Sequence, residues 1–121
     1  MSTAILRDPP PELSQCITTF IKGDPPDADI AETQHRQLTK ILAQCNYSVV
    51  TLPAVPELPD SVFVEDTAVV LPEGPILLPM GIGSRWTESE MIHGALRSHA
   101  GDVRKIPLPA CIEGGDVLRI G

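Results

Sequence analysis

The chain has 121 residues, 42% apolar and 21% charged, enough for one ordinary domain with a single core and too hydrophobic for bulk disorder. Sixteen acidic against nine basic side chains give a net charge of -7, which repels nucleic-acid backbones and anionic membrane surfaces and draws cations. No apolar run approaches the roughly 18 residues of a membrane span, residues 1–11 lack a signal-peptide pattern, and three scattered cysteines fit reduced thiols; a cytoplasmic address, with no nucleic-acid or membrane partner, is the expectation.

Thirteen prolines punctuate the elements. After the Gly23-Asp24-Pro25-Pro26 turn, Asp27 or Asp29 can cap an amphipathic helix over Ala28–Gln44, with Ile30, Leu38, Ile41, Leu42 and Cys45 on its apolar stripe. Asn46 suits the helix stop, and residues 47–52 read as a strand closed by Pro53. Residues 61–71 and 75–79 read as two strands joined by the Pro72-Glu73-Gly74 turn. Ser84 or Thr87 ahead of Glu88 and Glu90 marks a second helix over residues 86–99, with Met91, Ile92, Ala95, Leu96 and His99 on one face. Gly101 stops it, residues 103–106 form a short strand, and residues 116–120 begin another.

These pieces repeat at a spacing of about 50 residues, the mark of a modular or propeller-like array. In each copy a helix and strand are followed by an acidic strand start: Val64-Glu65-Asp66-Thr67-Ala68-Val69-Val70 in one, Ile112-Glu113-Gly114-Gly115-Asp116-Val117-Leu118 in the next. If such units surround a common axis, Asp60, Glu65 and Asp66 converge with the Glu113/Asp116 segment. On a strand, Glu65 and Asp66 point to opposite faces, so at least one carboxylate is buried among apolar neighbours, which is costly without a cation. A ligand guanidinium fits that gap, because its planar fork of donors matches several carboxylates at once. Arg85, in Gly81-Ile82-Gly83-Ser84-Arg85, sits where it can hold a ligand carboxylate or remain an exposed charge.

The run Leu58-Pro59-Asp60-Ser61-Val62-Phe63-Val64-Glu65-Asp66-Thr67-Ala68-Val69-Val70 closely resembles the segment that marks dimethylarginine dimethylaminohydrolases, in the amidinotransferase or pentein superfamily. Glu32-Thr33-Gln34-His35, Gly83-Ser84-Arg85 and Glu113-Gly114-Gly115-Asp116-Val117-Leu118 extend the match over nearly the whole chain. The resemblance implies an α/β fold: a pentein-like propeller of five ββαβ modules around a polar channel. Residues 1–121 would form a partial propeller domain, two modules and the start of a third, with no second domain. It also implies a small-molecule substrate, Nω-methylated arginine. Asp60, Glu65 and Asp66 would contact it, Arg85 would pair with its α-carboxylate, and Ile17 would match a lid-loop leucine using backbone contacts. Glu113 would orient the catalytic base. Family members attack the guanidinium carbon with a cysteine thiolate, expel an alkylamine and hydrolyse the adduct to citrulline, with a histidine moving protons; no C-x-x-C or H-x-x-x-H spacing occurs, and neither a metal nor a cofactor is expected.

The nucleophilic cysteine and catalytic histidine of the family lie in later modules, which this sequence does not carry. Cys111 stands outside the nucleophile's context and has no cationic neighbour to lower its pKa, Cys45 belongs to the apolar helix face and Cys16 to an exposed loop. His35, His93 and His99 fall on helices in structural or surface roles. The expectation is the substrate-binding portion of a dimethylargininase-like hydrolase, inactive alone, with an exposed strand edge that favours pairing with a second copy or with the missing C-terminal half. A non-catalytic module for cationic amino acids, or a fragment of an arginine deiminase or amidinotransferase relative, is the alternative.

Overall fold

A computed structural model of the chain describes residues 1–120. They form two compact units, Met1–Val62 and Phe63–Gly121.

In Met1–Val62, strands β1 (Thr3–Arg7) and β2 (Ser48–Leu52) pair in parallel, from Thr3 opposite Ser48 to Arg7 opposite Leu52. Parallel neighbours need a long crossover, and helix α1 (Ala28–Gln44) supplies it. Asp27 caps the helix by accepting from the backbone N–H groups of Asp29 and Ile30, both at 2.9 Å, and Asn46 ends it at φ 67°, a left-handed position asparagine tolerates. Strand β1 is an element the sequence pattern does not reveal; it is short, ends on a charge and is made a strand by pairing with β2. The apolar stripe of α1 is not core here: no residue of the helix is buried, and Ile30, Leu38, Ile41 and Cys45 are exposed. A sheet of two strands about 4.8 Å apart is too narrow to cover a full helix face.

In Phe63–Gly121, the hairpin of β3 (Ala68–Leu71) and β4 (Gly74–Leu77) pairs Ala68 with Leu77 and Leu71 with Gly74. Pro72 and Glu73 make the turn, and Gly74 takes φ 116°, open to glycine at no steric cost. Helix α2 (Trp86–Ala100) then returns the chain to β5 (Arg104–Lys105), parallel to β4. The sheet order β3-β4-β5 with one helix is a complete ββαβ module, and β4-α2-β5 repeats the parallel β-α-β arrangement of β1-α1-β2, as the internal repeat predicts. Leu77, Leu78, Met80, Ile92 and Leu96 form the core. The Ser89 hydroxyl donates to the Leu78 carbonyl at 2.7 Å and the Trp86 indole N–H to the Met80 carbonyl at 2.8 Å, fastening α2 to the segment after β4.

Three expectations change. The predicted strand over residues 61–71 is a 3-10 turn (Val64–Thr67) followed by β3, because the polar Glu65-Asp66-Thr67 run satisfies backbone groups locally. Helix α2 has no side-chain cap from Ser84 or Thr87; a 3-10 turn (Gly83–Arg85) leads into it, and its inward face carries Glu88, Ser89, Ile92 and Leu96, with Met91 exposed. Residues 117–120 join no sheet, and Leu118 and Ile120 are exposed; a strand requires a neighbouring ladder. Among the described residues no helix is long and apolar enough to cross a membrane.

Candidate functional site

The Val64–Thr67 turn is closed by two local bonds. The Asp66 N–H donates to the Phe63 carbonyl at 3.2 Å, and the Thr67 hydroxyl donates to the Val64 carbonyl at 2.6 Å. The carbonyl of the buried Thr67 in turn accepts from the Leu78 N–H at 2.9 Å, which anchors the turn beyond the end of the hairpin. On this turn Glu65 is exposed and Asp66 half-buried, instead of facing opposite sides of a sheet.

Asp66 meets its counter-charge inside the same unit. The Arg85 Nη1 donates to Asp66 Oδ2 at 2.9 Å. Along its other edge the same guanidinium holds Glu88: Nε donates to Oε1 at 3.2 Å and to Oε2 at 3.1 Å, and Nη2 donates to Oε2 at 2.8 Å. Nη2 also reaches the Phe63 carbonyl at 3.4 Å. The Arg85 and Glu88 side chains are only 7% and 4% exposed, Asp66 21%. Burial alone would lower the Arg85 pKa, but hydrogen bonds to Glu88 and Asp66 outweigh it and the net shift is upward; this cation stays charged. The local sequence explains the meeting: Arg85 closes a 3-10 turn by donating its N–H to the Ile82 carbonyl at 3.0 Å, and Glu88 follows at i+3 on the first turn of α2, where side chains three apart are neighbours.

A second turn, Gly114–Asp116, is built by a reciprocal capping box. The Glu113 carboxylate accepts from the Asp116 N–H, and the Glu113 N–H donates to Asp116 Oδ2 at 3.2 Å. Glu113 Oε1 also takes the Gly81 N–H at 3.4 Å, and the Ile112 N–H donates to the Pro79 carbonyl at 3.0 Å. This turn lies against the Glu65-Asp66 backbone so closely that a Cβ on Gly114 would fall inside the radius of the Glu65 carbonyl oxygen, and one on Gly115 would come within 3.3 Å of Asp66 Oδ1. Only glycine permits the approach.

In Met1–Val62, the Ile17 N–H donates to Asp60 Oδ1 at 3.0 Å; Asp60 is buried and Ile17 sits at the surface. The neighbouring Cys16 is half-buried, and burial followed by the Asp60 charge pushes its thiol pKa up, the wrong direction for a nucleophile. Cys45 and Cys111 are exposed. His35 is nearly buried, with Nδ1 3.5 Å from Asp8 Oδ1. Among the described residues no three His, Cys, Asp or Glu side chains are grouped to hold a metal ion.

The structure therefore brings Asp66 and Arg85 into direct contact in Phe63–Gly121, sets Glu65 and Glu113 on two turns whose backbones touch, and joins Ile17 to Asp60 in Met1–Val62. Sequence reasoning leaves the cation beside Asp66 to a ligand; Arg85 supplies one from within. It also misses Glu88, read as a helix-start acid, although the Arg85-x-x-Glu88 spacing at a helix start is a signal for such a pair, and it misses the steric role of Gly114.

No family model matches the chain. It is 33% identical over 118 residues to a dimethylarginine dimethylaminohydrolase of Pseudomonas aeruginosa, covering 97% of this chain and 46% of the relative. It is 29% identical over 118 residues to the Streptomyces coelicolor protein of the same name, covering 98% and 46%. The crystal structure of the Pseudomonas aeruginosa enzyme complexed with citrulline superposes with a TM-score of 0.92 at 31% identity, over 97% of this chain and 46% of that one. The substrate-bound N-terminal domain of a cyanobacterial arginine dihydrolase shares the fold at 20% identity and a TM-score of 0.76, over 91% of this chain and 41% of that one. The chain, spanning about half the length of the curated relatives it matches, resembles the N-terminal portion of a dimethylarginine dimethylaminohydrolase and has the α/β, pentein-like fold of ββαβ modules.

Proposed function

We propose that residues 1–121 are the partial propeller domain that carries the substrate-binding half of a cytoplasmic dimethylargininase-like hydrolase, acting on Nω-methylated arginine. The observation that supports this most is the touching pair of acidic turns: Glu65, Asp66, Glu113 and Asp116 are held together through Gly114, with Asp66 seated on Arg85. Arg85 pairs with Asp66 and Glu88, and Glu65, Glu113 and Asp116 on the two turns add negative charge that favours a guanidinium. In this reading Glu65 and Asp66 hold the substrate's cationic groups, Arg85 takes the α-carboxylate and Glu113 orients the base, while for Asp60 and Ile17 the family resemblance alone supports a part in substrate binding. The reaction is completed by a histidine and a cysteine from modules outside this sequence. The thiolate bonds the guanidinium carbon and the alkylamine departs with a proton from the histidine; water then adds, the C–S bond breaks, and citrulline leaves while the thiolate is restored.

A non-catalytic binding module is the second reading, and the Cys16 thiol, pushed up by burial and the Asp60 charge, favours it by offering no nucleophile at that loop. Mixing the purified chain with the complementary half of the Pseudomonas aeruginosa relative separates the two. Citrulline release from dimethylarginine is expected in the mixture and not from either part; binding by this chain with no release in a mixture shown to associate would instead make it a module.

A further inference from the structure

Glu88 lies outside every motif that suggested the site, yet its carboxylate is the most buried of the acids around Arg85. It grips the guanidinium side-on, Nε donating to Oε1 and Nη2 to Oε2, in the planar two-donor geometry that lysine cannot reproduce. Asp66, the more exposed acid, takes Nη1. The two carboxylates thus play different parts: one fixes the plane and rotation of the fork from the protein side, the other meets its Nη1 end.

We propose that Glu88 is the positioning residue for Arg85: by holding the Nε–Nη2 edge inside the protein it turns the Nη1 end toward Asp66 and toward a ligand's carboxylate. This rests on the reading of Arg85 as the α-carboxylate partner. A long arginine side chain without such a grip has several rotamers of similar energy and would lose the fixed direction of its donors. Glu88 would not touch the ligand, so its influence should appear only through groups that Arg85 recognises.

The test uses the 121-residue chain, two probes and one spectroscopic signal. The probes are Nω,Nω-dimethylarginine and its decarboxylated analogue, dimethylagmatine, titrated by calorimetry. The signal is the Arg85 Nε–H resonance and the rate of rotation about its Nε–Cζ bond, read by NMR. The parent chain is expected to show a protected Nε–H with slow rotation and to bind dimethylarginine more tightly than the analogue. In Glu88→Gln the Nε–H should move and rotation quicken, and dimethylarginine should bind at least tenfold more weakly, with the analogue changed less than about twofold, erasing the preference. Asp66→Asn, by contrast, should leave the Nε–H signal in place. An unmoved Nε–H in a folded Glu88→Gln chain overturns the proposal, and so does equal weakening of both probes, the mark of a purely structural role. Should that variant fail to fold, the parent decides, since fast rotation about Nε–Cζ there overturns it equally. Absence of binding of either probe to the parent refutes the binding role of Arg85 and with it the ligand-directed part of this proposal, leaving the Nε–H arm to decide whether Glu88 holds the fork.

Discussion

Replacing Arg85 by alanine is expected to lower the unfolding free energy by about 3–5 kcal/mol, the cost of removing one member of a buried ion pair. The argument turns on Glu88, whose side chain is 4% exposed and which loses its three guanidinium contacts, while the better hydrated Asp66 loses one. Urea unfolding of both chains measures the loss. A double replacement, Arg85→Met with Glu88→Leu, should cost less than Arg85→Ala alone, because a well-packed apolar pair avoids desolvating two charges. A loss under about 1 kcal/mol for Arg85→Ala, the range of exposed pairs, would contradict the buried network.

Gly114→Ala is expected to be the most damaging such change among the described glycines, at or above the top of the usual overpacking range of about 1–3 kcal/mol. The added carbon would collide with the Glu65 carbonyl, a backbone atom held by the turn and unable to swing aside as a side-chain end can. Relief requires the Glu113 turn to lift off the Glu65-Asp66 turn, so methylarginine binding should fall along with stability. Gly94→Ala is the control: a Cβ there would have nothing within 4 Å, and in mid-helix the change should stabilise by about 0.5–1 kcal/mol. Equal unfolding midpoints for the two variants would remove the steric account of the paired turns.

Much of the module was legible because its signals are local. The α1 boundaries follow from Asp27 at one end and Asn46 at the other, and the hairpin from a proline-glutamate-glycine turn between β-branched runs. The 50-residue repeat survives as two β-α-β arrangements with parallel strands. What eluded the sequence depends on partners distant along the chain. Glu65 and Asp66 sit among valines and read as strand by composition, yet the Asp66 N–H and the Thr67 hydroxyl close a turn instead. Arg85 reads as a loose loop charge, and its burial is settled by Glu88 on the next helical turn and Asp66 19 residues upstream. The α1 stripe predicts a core, but a stripe reports only that a face is apolar and not what covers it. Gly114 carries no signal except its identity, since its necessity comes from a carbonyl 49 residues earlier in the chain (114 minus 65).

A calorimetric titration of Nω,Nω-dimethylarginine into the chain and into its Asp66→Asn form probes the acidic turns most directly. Saturable binding to the parent, at least tenfold weaker once the Asp66 charge is removed, is the predicted result. Heat indistinguishable between the two proteins, or none from the folded parent at millimolar ligand, would contradict the claim that these turns receive the substrate's cation.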